Sequence, residues 1–247
     1  MLTATEFRHE ALGAVGSTNI ECLQRARNGD RGNLWITAHS QTAGRGRRGR
    51  QWASEPGNLY ASLLLIDPAP VPALASLPLV VAVAVFTAVS RALHDTDTPI
   101  GIKWPNDILV RGAKVSGILL ESETLDDGRR AVVIGCGINV AHAPQQSRYP
   151  TTTLQDEGIV ISPQDLFAHL YQSMAIELRE WQQGGNVKRV REKWLRHAVG
   201  KGGPVTVNYN DRSLTGTFRD IDENGCLLLV DEAGSTHIVS AGDLFFN

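Results

Sequence analysis

Hydrophobic and polar positions divide the chain into stretches of different character. Near the start, Thr18-x-x-Glu21 is a capping-box pattern that opens a short helix running to about Arg27, and Gly29 is placed to end it. Leu34 to His39 reads as a buried strand and Leu59 to Ile66 as a second, with the Gly/Arg segment Gly44–Arg50 between them. Leu77 to Val89 is almost wholly apolar, with Ser76 as its N-cap and Pro78 in the first turn. It is shorter than the ~20 residues of a membrane span, so it predicts a buried core helix.

From Ile100 the pattern changes to short strands: Ile100–Trp104, Ile108–Val110, Val115–Glu121 and Arg130–Ile134. Pro105-Asn106-Asp107, Arg111-Gly112 and Asp126-Asp127-Gly128 are turns, and connections this short predict an antiparallel meander. Ser162-Pro163-Gln164-Asp165 starts a capped helix whose apolar face runs from Leu166 to Trp181; Gly184-Gly185 ends it, and Asn186 to His197 reads as one more helix. Beyond Gly200-Lys201-Gly202-Gly203-Pro204, the segments Val205–Tyr209, Ser213–Ile221, Cys226–Val230 and Thr236–Ser240 alternate around turns at Asn210-Asp211, Glu223-Asn224-Gly225 and Ala233-Gly234. The expected organisation is a mixed α/β (α+β) domain over residues 1–200, with a small β module over 201–247 packed on it.

Composition narrows the function classes. Of 247 residues 42% are hydrophobic and 20% charged, which permits a sizeable core and excludes wholesale disorder. The 24 basic and 26 acidic residues give a formal charge of −2, too acidic for a protein that holds nucleic acid by its overall charge. Cys22, Cys136 and Cys226 form no CxxC pair and read as plain thiols in a reducing compartment. The N-terminus lacks the basic start and apolar run of a secretory signal, so the expectation is a soluble, cytoplasmic protein with no membrane partner.

Chemistry concentrates in a few segments. Gly44-Arg45-Gly46-Arg47-Arg48-Gly49-Arg50 puts four arginines on a glycine-rich backbone. It satisfies GxGxxG, but Trp52, Pro56 and Gly57-Asn58 follow where a dinucleotide fold needs a helix. What it suits is an anion, since guanidinium forks and close backbone N–H groups match phosphate and carboxylate. Lys103-Trp104-Pro105-Asn106-Asp107 gathers a cation, an aromatic, an amide and a carboxylate at one strand-ending turn. Lys114 begins the next strand but one, and antiparallel pairing brings it towards Lys103 and Asp107; two lysines and a carboxylate so placed call for an anion. Gly135-Cys136-Gly137-Ile138-Asn139 closes the meander, its glycines marking close approach of a ligand or of a neighbouring strand. Ser17-Thr18-Asn19 reads locally as a helix cap. There is no GxxxxGK[ST], no HExxH and no GxSxG.

In this order, the arginine loop with Trp52, Lys103–Asp107, Lys114-x-x-Gly117 and Gly135-x-Gly137-Ile138-Asn139 resemble the motifs of biotin protein ligases, over essentially the whole chain. The resemblance implies a mixed β-sheet with packed helices like that of class II aminoacyl-tRNA synthetases, plus a small C-terminal SH3-like β-barrel. It implies an enzyme that joins biotin to ATP as biotinyl-5′-AMP and passes biotin to one lysine of a biotin carboxyl carrier protein, such as the acetyl-CoA carboxylase subunit. ATP and Mg2+ are the implied cofactors, the magnesium riding on the nucleotide rather than on a dedicated protein site. Ser17, Thr18, Asn19, Gln41, Arg45, Gly46, Arg47, Lys114 and Gly117 are implied to hold biotin. Arg47, Arg50, Trp52, Lys103, Asn106, Asp107, Lys114 and Asn139 are implied to hold ATP, with Arg47, Lys114 and Asp107 catalytic. Ser17 comes too early for an N-terminal helix-turn-helix, so a monofunctional ligase without an operator-binding role is expected, as a monomer or homodimer. The arginine loop, with four like charges, is expected to be disordered when empty and to close over the adenylate. One departure stands out: many relatives read Gly-Ile-Asn-x-Asn, whereas Ala141 occupies the second amide position here.

Other readings stay open on the residues themselves. A lipoate ligase or octanoyltransferase would share the lysine but take another acyl group, and a non-enzymatic RNA-binding protein would use the arginine segment. A catalytically dead biotin-binding homologue would not be expected to keep Lys114 and Arg47.

Overall fold

The structure is a computed structural model that describes residues 7–93, 97–144, 147, 149–209 and 212–246. Its centre is a seven-stranded sheet of β1 (Arg8–Val15), β2 (Leu34–Gln41), β3 (Leu59–Ile66), β4 (Ile100–Lys103), β5 (Asp107–Val110), β6 (Ala113–Thr124) and β7 (Arg130–Ile138), in the order β1-β2-β3-β7-β6-β5-β4. β1 and β2 are parallel and every other pair is antiparallel, so β4 to β7 form the expected meander.

Alternation along the strands sorts the two faces. Leu34, Ile36, Leu64 and Val133 point to the side covered by helix α1 (Thr18–Arg27). Trp35, Leu63, Ile118 and Ile134 point to the other, which α2 (Leu77–Ala92) and α3 (Pro163–Trp181) cover. α2 and the turn before it are apolar and long enough to cross a membrane, yet the helix is buried between the sheet and α3. A helix apolar on every side belongs in such a place.

Several local expectations need correction. The first helix is capped by Ser17, not Thr18, and no side chain makes the cap bond; Thr18 and Glu21 turn to other partners. Its end is as expected, with Gly29 at φ +84° and the bonds Gly29 N–H to Ala26 O and Asp30 N–H to Arg25 O. Ser76 is the boundary residue of α2 but is itself helical, because a 3-10 turn over Val71–Ser76 runs straight into the helix; its hydroxyl bonds Ala73 O instead. Ser162 does cap α3, accepting from Asp165 N at 3.0 Å. β1 and the final strand of the chain carry no clear signal in the sequence, and β7 runs on to Ile138, which places Gly135 and Gly137 inside the strand.

After α4 (Val187–Arg196) comes a five-stranded antiparallel sheet of β8 (Pro204–Asn208), β9 (Ser213–Ile221), β10 (Leu227–Val230), β11 (Thr236–Val239) and β12 (Asp243–Phe246), in the order β11-β10-β9-β8-β12. The expected turn at Asn210-Asp211 lies outside the described residues. The inner side chains of this sheet, among them Val205, Phe218, Leu229 and Leu244, continue the main apolar core. The seam is fixed by Trp104 Nε1–H to Gly225 O at 2.9 Å and by the Arg191–Asp220 pair at 2.6 Å. This docking sets β12 against the arginine segment.

Candidate active site

One cavity of about 500 Å³ runs along the α1 face of the sheet and on to β12. Its floor is glycine. Gly117 and Gly137 face each other across β6 and β7, and Gly135 lies further along. A Cβ on Gly137 would stand 2.5 Å from Trp52 Cε2, one on Gly117 2.9 Å from Trp52 Cζ3, and one on Gly135 2.3 Å from Asn19 Oδ1. The close approach is thus by side chains: the Trp52 indole lies flat on the Gly117–Gly137 pair, and the first turn of α1 sits on Gly135.

Beside Gly135 the cavity is walled by neutral hydrogen-bonding groups. Gln41 Oε1 accepts from Thr18 N at 2.9 Å and from Thr18 Oγ1 at 3.1 Å, while Gln41 Nε2 donates to Ser54 Oγ at 2.9 Å. Ser62, fully buried on β3, reaches Thr18 Oγ1 at 2.7 Å and Asn19 Oδ1 at 2.6 Å. Ser17 is buried at the cap and also lines the cavity.

The opposite end is charged. Register makes Lys103 and Asp107 cross-strand partners, and a bulge after Ile108 brings Lys114 back onto them, so that Lys114 Nζ lies 2.6 Å from Asp107 Oδ1. Lys103 Nζ lies 3.7 Å from the centre of the Tyr149 ring, which stacks on Phe245 at 4.9 Å. Burial pulls the Lys103 ammonium below its ordinary value, with Asp107 opposing and Lys114 adding to the shift. Asn106 donates to Ile118 O, which turns its Oδ1 towards Arg47 Nη1 at 3.0 Å. Arg47 too is lowered by burial, against the pull of Asp107.

The arginine segment folds as a tight turn. Gly46 N–H bonds Arg50 O, Arg50 N–H bonds Arg47 O, and Arg48 takes a left-handed φ of 57° in the tight turn between. Each of the four guanidinium groups has a partner, and two of them converge on one carboxylate. Arg45 pairs with Glu121 at 3.0 Å, Arg47 with Asn106, and Arg48 and Arg50 with Asp243 on β12. Burial pushes the Asp243 carboxyl up, but the Arg50 hydrogen bond and charge, with Arg48 and Arg47 behind it, outweigh this and hold it low.

Every residue singled out from the sequence for biotin or ATP lines this one cavity: Ser17, Thr18, Asn19, Gln41, Arg45, Gly46, Arg47, Arg50, Trp52, Lys103, Asn106, Asp107, Lys114, Gly117 and Asn139. Asn139 is almost fully buried and its Nδ2 donates to Thr152 O at 3.2 Å, so it mainly ties down the stretch around Thr151. Ala141, at the family's second amide position, is not in the cavity wall; its N–H bonds Asn58 Oδ1 and its Cβ faces Gly57. Sequence reasoning missed Glu121, Ser62, Tyr149, Phe245, Asp243 and Asn58. Asn58 had the clearest trace, an amide beside a turn glycine, and its Oδ1 accepts the N–H groups of Val140, Ala141 and His142. Cys136 points to the α2 side, where burial pushes its thiol up to about 12, and the cysteines are unpaired.

Carboxylates at the charged end are few. Among the described residues no group of three or more His, Cys, Asp or Glu side chains converges. The carboxylates at the charged end, Asp107 and Asp243, already carry cations.

Comparison with known proteins decides the family. The profile of the Biotin/lipoate A/B protein ligase family matches residues 17–139, and that of the Biotin protein ligase C terminal domain matches residues 202–246. A biotin–[acetyl-CoA-carboxylase] ligase of Paracoccus denitrificans is 35% identical over 244 residues, covering 95% of this chain and 99% of the relative. This chain belongs to the biotin protein ligase family. The biotin protein ligase of Aquifex aeolicus, solved with biotin and ATP, superposes with a TM-score of 0.80 at 27% identity, covering 97% of this chain and 99% of that one. The Leishmania major biotin protein ligase, solved with biotinyl-5-AMP, superposes with a TM-score of 0.66 at 26% identity, covering 95% and 99%. The ligase is therefore matched along its length by enzymes whose structures hold the substrates and the acyl-adenylate.

Proposed function

We propose that the cavity carries out both half-reactions of a biotin–[acetyl-CoA-carboxylase] ligase without moving the acyl group. The observation that carries this reading is the contrast between its ends. One end is a row of neutral donors and acceptors suited to a cyclic urea, the other is cationic and suited to a polyphosphate, and Lys114, Arg47 and Trp52 lie where the two meet.

Biotin's ring lies against Ser17, Thr18, Asn19 and Gln41, with its tail passing Arg45, Gly46 and Gly117. Lys103, Asn106 and Arg50 take the nucleotide, and Trp52 shields the intermediate. The biotin carboxylate attacks the α-phosphorus of ATP, forming the C(=O)O–P bond as the bond to the β-phosphate oxygen breaks and pyrophosphate leaves. Two anions must meet for this, and Lys114 and Arg47 are fixed cations at the meeting point that stabilise the added charge of the transition state. No described carboxylate cluster would hold magnesium; carried with ATP, the ion would supply charge neutralisation on the phosphates. In the second half-reaction the carrier lysine attacks the acyl carbon and AMP leaves. Asp107, paired with Lys114 at 2.6 Å, takes a proton from the incoming amine as the adenylate draws Lys114 to itself.

The reading extends to a biotin carboxyl carrier protein as acceptor, a cytoplasmic setting, and a monomer or homodimer. It divides the chain into a catalytic domain of residues 1–200 and a C-terminal domain of residues 201–247. The experiment is exchange of labelled pyrophosphate into ATP with biotin, lipoate, octanoate or no acid. Exchange that requires biotin is expected. Exchange with lipoate or octanoate alone would reassign the acyl group, and no exchange with any acid would overturn adenylation.

A further inference from the structure

Glu121 has no part in the chemistry described so far and does not line the cavity, yet it holds two groups that do. On β6 it lies two residues beyond Leu119, whose cross-strand partner is Gly135, and so it shares the α1 face of the sheet. Its Oε2 accepts from Asn19 Nδ2 at 2.8 Å and from Arg45 Nη2 at 3.0 Å.

A side-chain amide can be turned over with little change of shape, exchanging its donor for its acceptor. Along this wall of the cavity the amides and hydroxyls form a directed chain. Thr18 N–H fixes Gln41 Oε1, which sends Gln41 Nε2 to Ser54; Thr18 Oγ1 gives its hydrogen to Gln41 and receives from Ser62. Ser62 also serves Asn19 Oδ1, and with a single hydrogen it cannot fix both neighbours at once. Nothing on the Ser62 side therefore decides which way the Asn19 amide lies. Glu121 does, because an ionised carboxylate only accepts. It holds Nδ2 to itself and leaves Oδ1 over Gly135, facing the cavity.

We infer that Glu121 is a positioning residue for ligand recognition: it makes Asn19 present an acceptor, matched to a ring N–H of a cyclic urea, and disfavours ligands that offer an acceptor there. The inference rests on the biotin assignment of this end. Asn19 is the route rather than Arg45. Asn19 is 4% exposed, whereas the Arg45 side chain is 40% exposed, and an ion pair so open to water contributes little.

The test is a double-mutant cycle read by calorimetric titration of biotin into the full chain, with the KM for ATP measured in parallel. Glu121→Gln keeps the shape but adds a donor, so the amide of Asn19 is free to turn. Loss of one charge-assisted, part-buried hydrogen bond predicts binding about tenfold weaker. On an Asn19→Ala background the same substitution should change biotin binding by less than about twofold, since its means of action is gone. The KM for ATP should be unchanged in Glu121→Gln, and thermal melting should show each variant folded. An equal loss on both backgrounds, an equal effect on ATP, or unaltered biotin binding in Glu121→Gln would overturn the inference. Failure of the unmutated chain to bind biotin would instead remove the assignment on which it rests, and needs no variant to be seen.

Discussion

Substituting Gly137 by alanine should separate what the glycine floor does for stability from what it does for catalysis. Gly137 lies within β7 with no left-handed φ, so its backbone accepts alanine, and the only obstacle is space. The new Cβ would be 2.5 Å from Trp52 Cε2 and 2.6 Å from Nε1, where ordinary contact begins at 3.4 Å. The indole must therefore move by about 1 Å, the scale on which misplacement near the reacting atoms costs about a hundredfold in rate. The Trp52 main chain cannot follow freely, because its N–H is bonded to Gly44 O and its carbonyl accepts from Ser54 Oγ. The ring has to tilt off the floor into the cavity, whose open side absorbs it at a folding cost near the low end of overpacking, about 1 kcal/mol. Biotin-dependent pyrophosphate exchange should fall by tenfold to about a hundredfold while the melting temperature drops only by about 2–4 °C. Gly13→Ala, on β1 with nothing within 4 Å of its added Cβ, is the matched control. Unaltered exchange in Gly137→Ala, or a loss matched by collapse of the fold, would refute the role given to the Trp52 platform.

Lys114→Ala removes a fixed cation from the meeting point of two anions, and exchange at saturating substrates should fall by at least about a hundredfold; a smaller loss would place the charge elsewhere. Asp243 has a folded pKa below its ordinary 3.8, so its contribution to stability is present above that value and lost as pH falls through the folded pKa. The gap in melting temperature between the unmutated chain and Asp243→Asn should accordingly hold steady near pH 6 and shrink by about pH 3; a gap independent of pH would contradict the pairing with Arg50 and Arg48. Gly101→Ala should destabilise by about 1–3 kcal/mol with the KM for biotin unchanged, because its Cβ would meet Val199 Cγ2 at 2.2 Å where β4 receives the chain after α4. Denaturant unfolding and steady-state kinetics measure the two quantities independently.

What the sequence made legible followed from local periodicity and chain register. Leu59–Ile66 and Ser213–Ile221 are strands to the residue because apolar runs bounded by turns leave one reading. The meeting of Lys103, Asp107 and Lys114 was visible because short turns compel antiparallel pairing. β1 was not visible: it is an edge strand whose residues are half-buried at best, and Arg8-His9-Glu10 carries no apolar stripe. β12 is only four residues long and begins with an aspartate. Glu121 and Asp243 escaped for a different reason. Asn19 and Glu121 are 102 positions apart, Arg50 and Asp243 193, and only the packing of α1 and of the C-terminal module brings them together.

The charge balance shows how a global quantity can exclude one partner and conceal another. A formal −2 argues against a long polyanion, whose binding sums over many phosphates. It says little about a small anion, because screening confines each exposed charge to about 8 Å at physiological salt. Within that range the arginine segment is strongly cationic, yet no guanidinium is idle: Arg45, Arg47, Arg48 and Arg50 each hold an acceptor of the protein's own. On the function proposed above, a polyphosphate would bind there by exchange, its affinity being the difference between the new bonds to phosphate and the bonds to Asn106 and Asp243 that they replace.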